Sequence, residues 1–270
     1  MKKIMWDKSH QNTKWDQGAV ANGLREADLT EKIVDYAVVY MDANYTGFEQ
    51  RVTRTNEEIL ALERRDDEAD AWGADAFVSP HINAGGGNGY ESYIYNKLSG
   101  KAQQQAVSFQ NIMDNEILLA MQRFGDIKAH GGDPSRQKDL FVLRETNMTA
   151  ILTENLYIDS SDSKYLKNED FLKAVGEAHA RGVAKFLELP AKEIVAAAAS
   201  KKEDDVMNQK FEPSNQAIRN AVSTVLMRFE QKAPPLAAEW RDKANAGELT
   251  INEAVGLLFV AIERGYITGK

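Results

Sequence analysis

The sequence predicts an α/β fold, a mainly parallel sheet with helices on both faces, followed by a small C-terminal helical bundle. Three observations predict it. Short apolar runs alternate with stretches of helical period from Lys2 to Leu189. Composition and period then break at Pro190, where Ala196-Ala197-Ala198-Ala199 leads into Lys201-Lys202-Glu203-Asp204-Asp205. Helical patterning resumes near Phe211 over about sixty residues, enough for a bundle with a thin core. The expected divisions are a main domain at 1–189, a linker at 190–210 and a small helical domain at 211–270.

Lys2 to Trp6 reads as the first strand, followed by a polar loop through Gly23. Leu29, Ile33, Tyr36, Ala37 and Tyr40 then recur at helical spacing. A second strand fits Phe48 to Arg54, and Asn56 is expected to cap a helix running to Trp72, with Leu60, Leu62 and Ala69 on its apolar positions. Ala74 to Ile82 forms the next apolar strand, and Tyr90 to Tyr95 alternates like another. Ala102 to Met121 is helical, Leu140 to Leu143 and Ala150 to Thr153 read as short strands, and Phe171, Leu172, Val175, Val183 and Phe186 mark an amphipathic helix. In the C-terminal part, one short helix carries Ile218, Val222, Val225, Leu226 and Phe229, and a second opens after Pro234-Pro235. A third follows the capping box Thr250-Ile251-Asn252-Glu253.

Composition narrows the chemistry. The 270 residues contain no cysteine, so disulfides, thiolate metal sites and cysteine nucleophiles are excluded, and any metal must be held by His and carboxylate. A net charge of −8 argues against sequence-independent nucleic-acid binding. The segment from Phe211 onward is neutral, with seven basic and seven acidic residues, so the excess lies before it. No apolar run approaches the roughly 18 residues of a membrane span.

Four segments bring acid–base groups to the ends of elements: Asp7-Lys8-Ser9-His10, Gly23-Leu24-Arg25-Glu26, Ser79-Pro80-His81-Ile82-Asn83-Ala84 and Thr153-Glu154-Asn155-Leu156-Tyr157-Ile158. In a parallel sheet such ends share one edge. His10, Glu26 and His81 make the two-histidine, one-carboxylate set of a catalytic zinc. Glu154 is the candidate for the non-ligand carboxylate that moves the proton. His130 lies in a polar loop and His179 on a helix flank, so both read as structural, and Gly85 to Gly89 reads as a turn. Arg54 and Arg64 are expected in structural ion pairs.

In this order and with these flanks, the four segments resemble the zinc-dependent N-acetylmuramoyl-L-alanine amidases of the amidase 3 type, found in bacterial autolysins and phage endolysins. The similarity spans roughly Lys2 to Leu189 and includes Val52-Thr53-Arg54-Thr55, Trp72-Gly73-Ala74-Asp75 and Phe141-Val142-Leu143-Arg144-Glu145-Thr146. It implies one Zn2+ on His10, Glu26 and His81, with Glu154 as catalytic base. The implied reaction cleaves the amide between N-acetylmuramic acid and L-alanine of peptidoglycan. Asn83 and Glu91 are expected to serve the substrate groove, Asn83 by orienting its loop. Where the family has glycines around the first histidine, this chain has Lys8-Ser9 and Gln11-Asn12. The departure bears on the substrate path beside His10.

The resemblance further implies a phage or prophage endolysin, made in the bacterial cytoplasm without a signal peptide and acting on the wall after release. The short apolar stretch at Ile4 to Trp6 is consistent with that expectation. The C-terminal helices are expected to bind a secondary wall polymer, with Trp240, Phe259 and Tyr266 as aromatic candidates. Two alternatives stay open at this stage: an inactive wall-binding or regulatory module, and a zinc peptidase acting on another amide.

Overall fold

The computed structural model describes residues 1–11, 16–54 and 60–192, together with 242, 243, 246, 248–250 and 253. The chain divides into two compact units, Met1–Lys192 and Glu193–Lys270. In the first, the elements run β1 (Lys2–Trp6), β2 (Val20–Ala21), β3 (Leu24–Arg25), α1 (Glu26–Asn44), β4 (Phe48–Val52), α2 (Leu62–Trp72), β5 (Ala76–Asn83), β6 (Tyr90–Tyr95), α3 (Gly100–Gln122), β7 (Ser135–Lys138), α4 (Phe141–Arg144), β8 (Thr149–Tyr157), α5 (Ser163–Leu166) and α6 (Glu169–Phe186). Six strands form one sheet in the order β4-β1-β5-β8-β6-β7. Every neighbouring pair is parallel except β8–β6.

The inner strands are apolar on both faces because both faces are covered. Ile4 and Trp6 of β1, Ala76 and Val78 of β5 and Ile151 of β8 pack with α1, α3 and α6. Their neighbours Met5, Phe77, Ala150 and Leu152 point the other way, to α2 and α4. Each such fully buried side chain contributes about 1.5–3 kcal/mol relative to exposure. Gly176 allows α6 to close on α1, since a Cβ there would stand 2.5 Å from the Ile33 carbonyl oxygen.

Three local expectations are corrected. The Leu140 to Leu143 run is the helical turn α4, and the strand of that region is the preceding Ser135–Lys138. A four-residue apolar run does not separate helix from strand by period, and the edge strand β7 is polar because it is partly exposed. Helix α2 begins at Leu62, after Leu60, whose side chain is buried and whose N–H donates to Gln11 Oε1 at 2.8 Å. The expected cap Asn56 lies outside the described residues. The loop before Glu26 contains the β2–β3 hairpin, turned by Asn22-Gly23 with φ of 53° and 76°.

His179 is buried inside α6 and is not a boundary residue. Its Nδ1 donates to the Val175 carbonyl at 2.8 Å, and its Nε2 accepts from Thr153 Oγ1 at 2.9 Å. Burial pushes its pKa down to about 4, the Val175 carbonyl opposing only in part. A folded pKa below the unfolded value of about 6.5 means that the unfolded chain takes the proton first. Stability is therefore expected to fall as pH drops from about 6.5 towards 4, by on the order of 3 kcal/mol. Urea titrations of wild type and His179→Gln test this: the wild-type decline should be the steeper, and equal slopes would exclude the histidine as its source.

In the second unit, Thr250 and Glu253 form the expected capping box: Thr250 N donates to Glu253 Oε2 at 2.9 Å, and Glu253 N to Thr250 Oγ1 at 3.2 Å. The remaining helices expected there, with Trp240, Phe259 and Tyr266, lie outside the described residues, as does the linker from residue 193 onward. Pro190 to Lys192 still pair with the first unit, through Thr46 N to the Pro190 carbonyl at 2.9 Å and Lys192 N to the Asn44 carbonyl at 2.7 Å.

Candidate functional site

The end of β5 is shaped by a proline. β1 pairs with β5 only as far as Val78, so the missing N–H of Pro80 leaves no ladder bond unmade on that side, and its carbonyl accepts Ser9 Oγ at 2.7 Å. This hydrogen bond draws the loop after β1 over the strand end. His10 itself has φ 57°, a left-handed conformation that other contacts must hold. Two buried arginines do so: Arg54 Nε donates to the His10 carbonyl at 2.7 Å and Arg65 Nη2 to the same oxygen at 3.0 Å. Arg65 is fixed in turn by Asp7 at 2.5 Å, whose other oxygen accepts Ser79 Oγ at 2.7 Å. The expected ion pairs are present, Arg54 with Glu31 at 3.4 Å and Arg64 with Glu68 at 2.5 Å.

The described non-glycine flanks of His10 are thus anchors, while Asn12 lies outside the described residues. Lys8 is buried and pairs with Asp35 at 2.6 Å, Ser9 holds Pro80, and Gln11 holds Leu60.

Glu26 opens α1 with its side chain buried. Its Oε1 lies 2.9 Å from His81 Nδ1 and 3.4 Å from His10 Nε2, and also accepts the Ile82 N–H at 3.0 Å. Its Oε2 accepts the Ala19 N–H at 2.8 Å. The three side chains offer donor atoms within 4.8 Å of one another. The second nitrogen of His10, Nδ1, bonds Asp16 at 2.6 Å, an outer carboxylate that leaves Nε2 aimed at Glu26. Burial opposes charge on His10 and Glu26. Even so, Glu26 and Asp16 raise the His10 pKa to about 9, and the two imidazoles hold the Glu26 carboxyl well below its usual range.

Glu154 stands directly beside His81 across the β5–β8 pairing, and Glu91 directly beside Glu154 across β8–β6. The pairing slips between His81 and Asn83, and Leu156 has φ 75°, so a bulge interrupts the ladder just past Glu154 before it resumes at Asn83 and Tyr157. Glu154 Oε2 is buried without a hydrogen-bond partner among the described residues. Burial pushes its pKa up to about 7; the His81 charge opposes this while Glu26 and Glu91 add to it. An unpaired buried carboxylate costs stability, and groups with such raised pKa values collect at functional sites.

Asn83 and Glu91 meet each other. Asn83 Nδ2 donates to Glu91 Oε1 at 2.6 Å, and its Oδ1 accepts the Ala84 N–H at 2.8 Å. Tyr157 Oη donates to the same Glu91 oxygen at 2.9 Å. The Gly85 to Gly89 stretch is the expected turn, its Gly85 and Gly86 N–H groups donating to Asp159 at 2.8 and 3.0 Å. His130 stays outside the cluster, with Nδ1 on the Asn88 carbonyl at 2.9 Å.

Sequence reasoning missed Asn155, whose Nδ2 donates to the His81 carbonyl at 3.1 Å and to Thr153 Oγ1 at 3.0 Å, and it missed Gly18. Nothing in the local pattern marks either. Gly18 has φ 67°, and a Cβ there would lie 2.5 Å from Glu26 Oε2 and 2.7 Å from His10 Cδ2. Gly18→Ala is expected to push these two donors apart and weaken metal affinity by roughly 10–100-fold. Zinc titration of the apo-protein checks this; an unchanged affinity would show that the loop absorbs the methyl group.

Fold and site together define an α/β protein with a His-Glu-His donor set and, beside it at the carboxyl ends of the strands, a carboxylate oxygen with no hydrogen-bond partner among the described residues. Residues 4–185 match the sequence profile of the N-acetylmuramoyl-L-alanine amidase family. The endolysin of Bacillus phage SPP1 is 39% identical over 207 residues, covering 76% of this chain and 72% of that protein. An N-acetylmuramoyl-L-alanine amidase of Bacillus licheniformis is 35% identical over 190 residues, 70% of each chain. Among solved structures, the catalytic domain of an N-acetylmuramoyl-L-alanine amidase from Bacillus (Paenibacillus) polymyxa aligns with a TM-score of 0.61 at 26% identity, over 70% of this chain and 100% of that one. The chain belongs to the N-acetylmuramoyl-L-alanine amidase family.

Proposed function

We propose that this peptidoglycan amidase cleaves the bond between the lactyl group of N-acetylmuramic acid and L-alanine, with one zinc ion held by His10, Glu26 and His81 and with Glu154 as general base. The observation that carries the reading is the buried, unpartnered Glu154 oxygen beside three converging donors. The donor set fits zinc: two imidazoles and a carboxylate, one imidazole backed by an outer carboxylate, with no thiolate to compete. When bound, zinc supplies Lewis acidity to the scissile carbonyl and lowers the pKa of a water to about 7.

The rest of the chemistry falls to the chain. Glu154, as carboxylate, takes a proton from the attacking water and returns it to the alanine nitrogen as the C–N bond breaks. A pKa raised by burial suits both halves of that transfer. Asn155 fixes the His81 backbone from β8, keeping base and donor in register. Asn83 and Glu91 hold the adjoining loop and so shape the groove.

The similarity to a phage endolysin supports a role in lysis, with action on the wall. No helix among the described residues is long and apolar enough to cross a membrane. Beyond residue 185 the family match ends, and the part at 211–270, expected from its sequence to be helical, is read as a module for a secondary wall polymer.

Purified cell walls treated with the protein, with and without chelator, test the reading. New alanine amino termini without new reducing sugar ends are expected, and only without chelator. Free amines from inside the stem would make it a peptidase, and an absence of products a binding protein.

A further inference from the structure

We propose that the groove continues across the sheet from Glu154 to an anion-binding subsite on β6 and β7, made by Tyr93, Arg136 and Lys138, which takes a carboxylate of the peptide stem. The inference rests on the amidase reading above. Residues directly opposite one another in neighbouring strands share a face of the sheet. Glu154 is opposite Glu91, Leu152 is opposite Tyr93, and Tyr93 is opposite Arg136. Since alternate residues of a strand also share a face, Glu154, Glu91, Tyr93 and Arg136 lie on one side of the sheet.

The cations on that side are only loosely held. Arg136 bends back towards Glu91: its Nη2 donates to the His130 carbonyl at 2.8 Å, and its Nε stands 3.8 Å from Glu91 Oε2. That separation is too long for a hydrogen bond, and Nη1 makes neither a hydrogen bond nor an ion pair among the described residues. Asn83 and Tyr157 both donate to the other Glu91 oxygen, Oε1. Lys138 is exposed, its Nζ 5.6 Å from the centre of the Tyr93 ring, and has no ion pair among the described residues. The neighbouring acid Asp139 is taken up by Lys97 and Arg144. A half-used guanidinium fork and an ammonium thus flank one aromatic ring, the chemistry that receives a carboxylate.

The spacing suits a stem peptide. Two strand spacings of about 4.8 Å, and an offset of two residues along the strands at ~3.4 Å each, separate Glu154 from Arg136, so the subsite lies roughly 12 Å from Glu154. An extended peptide covers that distance in three to four residues at ~3.4 Å each. With the scissile amide at Glu154, the carboxylate of the second or third stem residue reaches Arg136.

The test compares two soluble muramyl-peptides that differ only in a free carboxylate or a carboxamide on the second stem residue. Wild type is expected to show a KM about tenfold or more lower for the carboxylate form. Arg136→Gln should abolish that ratio and Lys138→Gln reduce it, with the loss in KM for the acidic substrate and not in kcat. Lys138 is exposed and makes no hydrogen bond among the described residues, so its variant does not depend on folding. A wild-type ratio near one, or a ratio that both variants retain, overturns the subsite and leaves the amidase reading intact. Failure of wild type to cleave either substrate overturns the amidase reading and this inference with it.

Discussion

Replacing Glu154 with glutamine is expected to lower kcat on cell walls by roughly 10²–10⁴-fold while the protein still binds one zinc ion. Glutamine keeps the shape of the side chain and cannot accept the proton of the attacking water. Because Glu154 Oε2 makes no hydrogen bond among the described residues, the exchange breaks no contact in the resting protein. It also removes a buried carboxylate beside Glu91, so stability should hold or rise. The same group sets the acid side of the pH profile. A base must be ionised, and burial raises the Glu154 pKa to about 7, so kcat/KM should fall as pH drops through that region. A bound cation nearby favours the carboxylate and moves the limb lower, never higher. Wild-type turnover in Glu154→Gln, with zinc bound, would remove the glutamate from the mechanism.

Loss of a metal donor is expected to abolish turnover outright. His81→Ala takes away one of two imidazoles facing Glu26 and leaves that carboxylate with only His10 at 3.4 Å and two backbone N–H groups. Zinc content should drop to the level of chelated wild type, and added zinc should restore the chelated wild type but not the variant. The fold should survive, because β5 is held by Ala76, Phe77, Val78 and Ile82 in the two cores, and His81 is not among these residues. Metal analysis and circular dichroism separate the two effects. Full turnover by wild-type protein stripped of metal would exclude the metal from the reaction.

Much of the fold was legible because burial on both faces leaves a mark in the sequence. Trp6, Phe77 and Ile151 sit in runs that only a covered sheet explains, and α1, α3 and α6 each keep a helical period. β7 and α4 were misread for the converse reason: Ser135–Lys138 is a partly exposed edge with no apolar signature, and a single helical turn has no period to detect. His179 shows a related limit, since a polar ring can be fully buried when Thr153 and the Val175 carbonyl satisfy both nitrogens.

For the site, the sequence alone determined which groups could do chemistry: His10, Glu26, His81 and Glu154 stand at element ends, and a parallel sheet sends such ends to one edge. Tertiary structure alone decided how they are held. Arg54 and Arg65 keep His10 in a left-handed turn, Gly18 makes room between His10 and Glu26, and Glu91 falls beside Glu154 from a strand more than sixty residues earlier. Such partners are set by the register between strands and by backbone approach, and neither leaves a period or a spacing along the chain to be read.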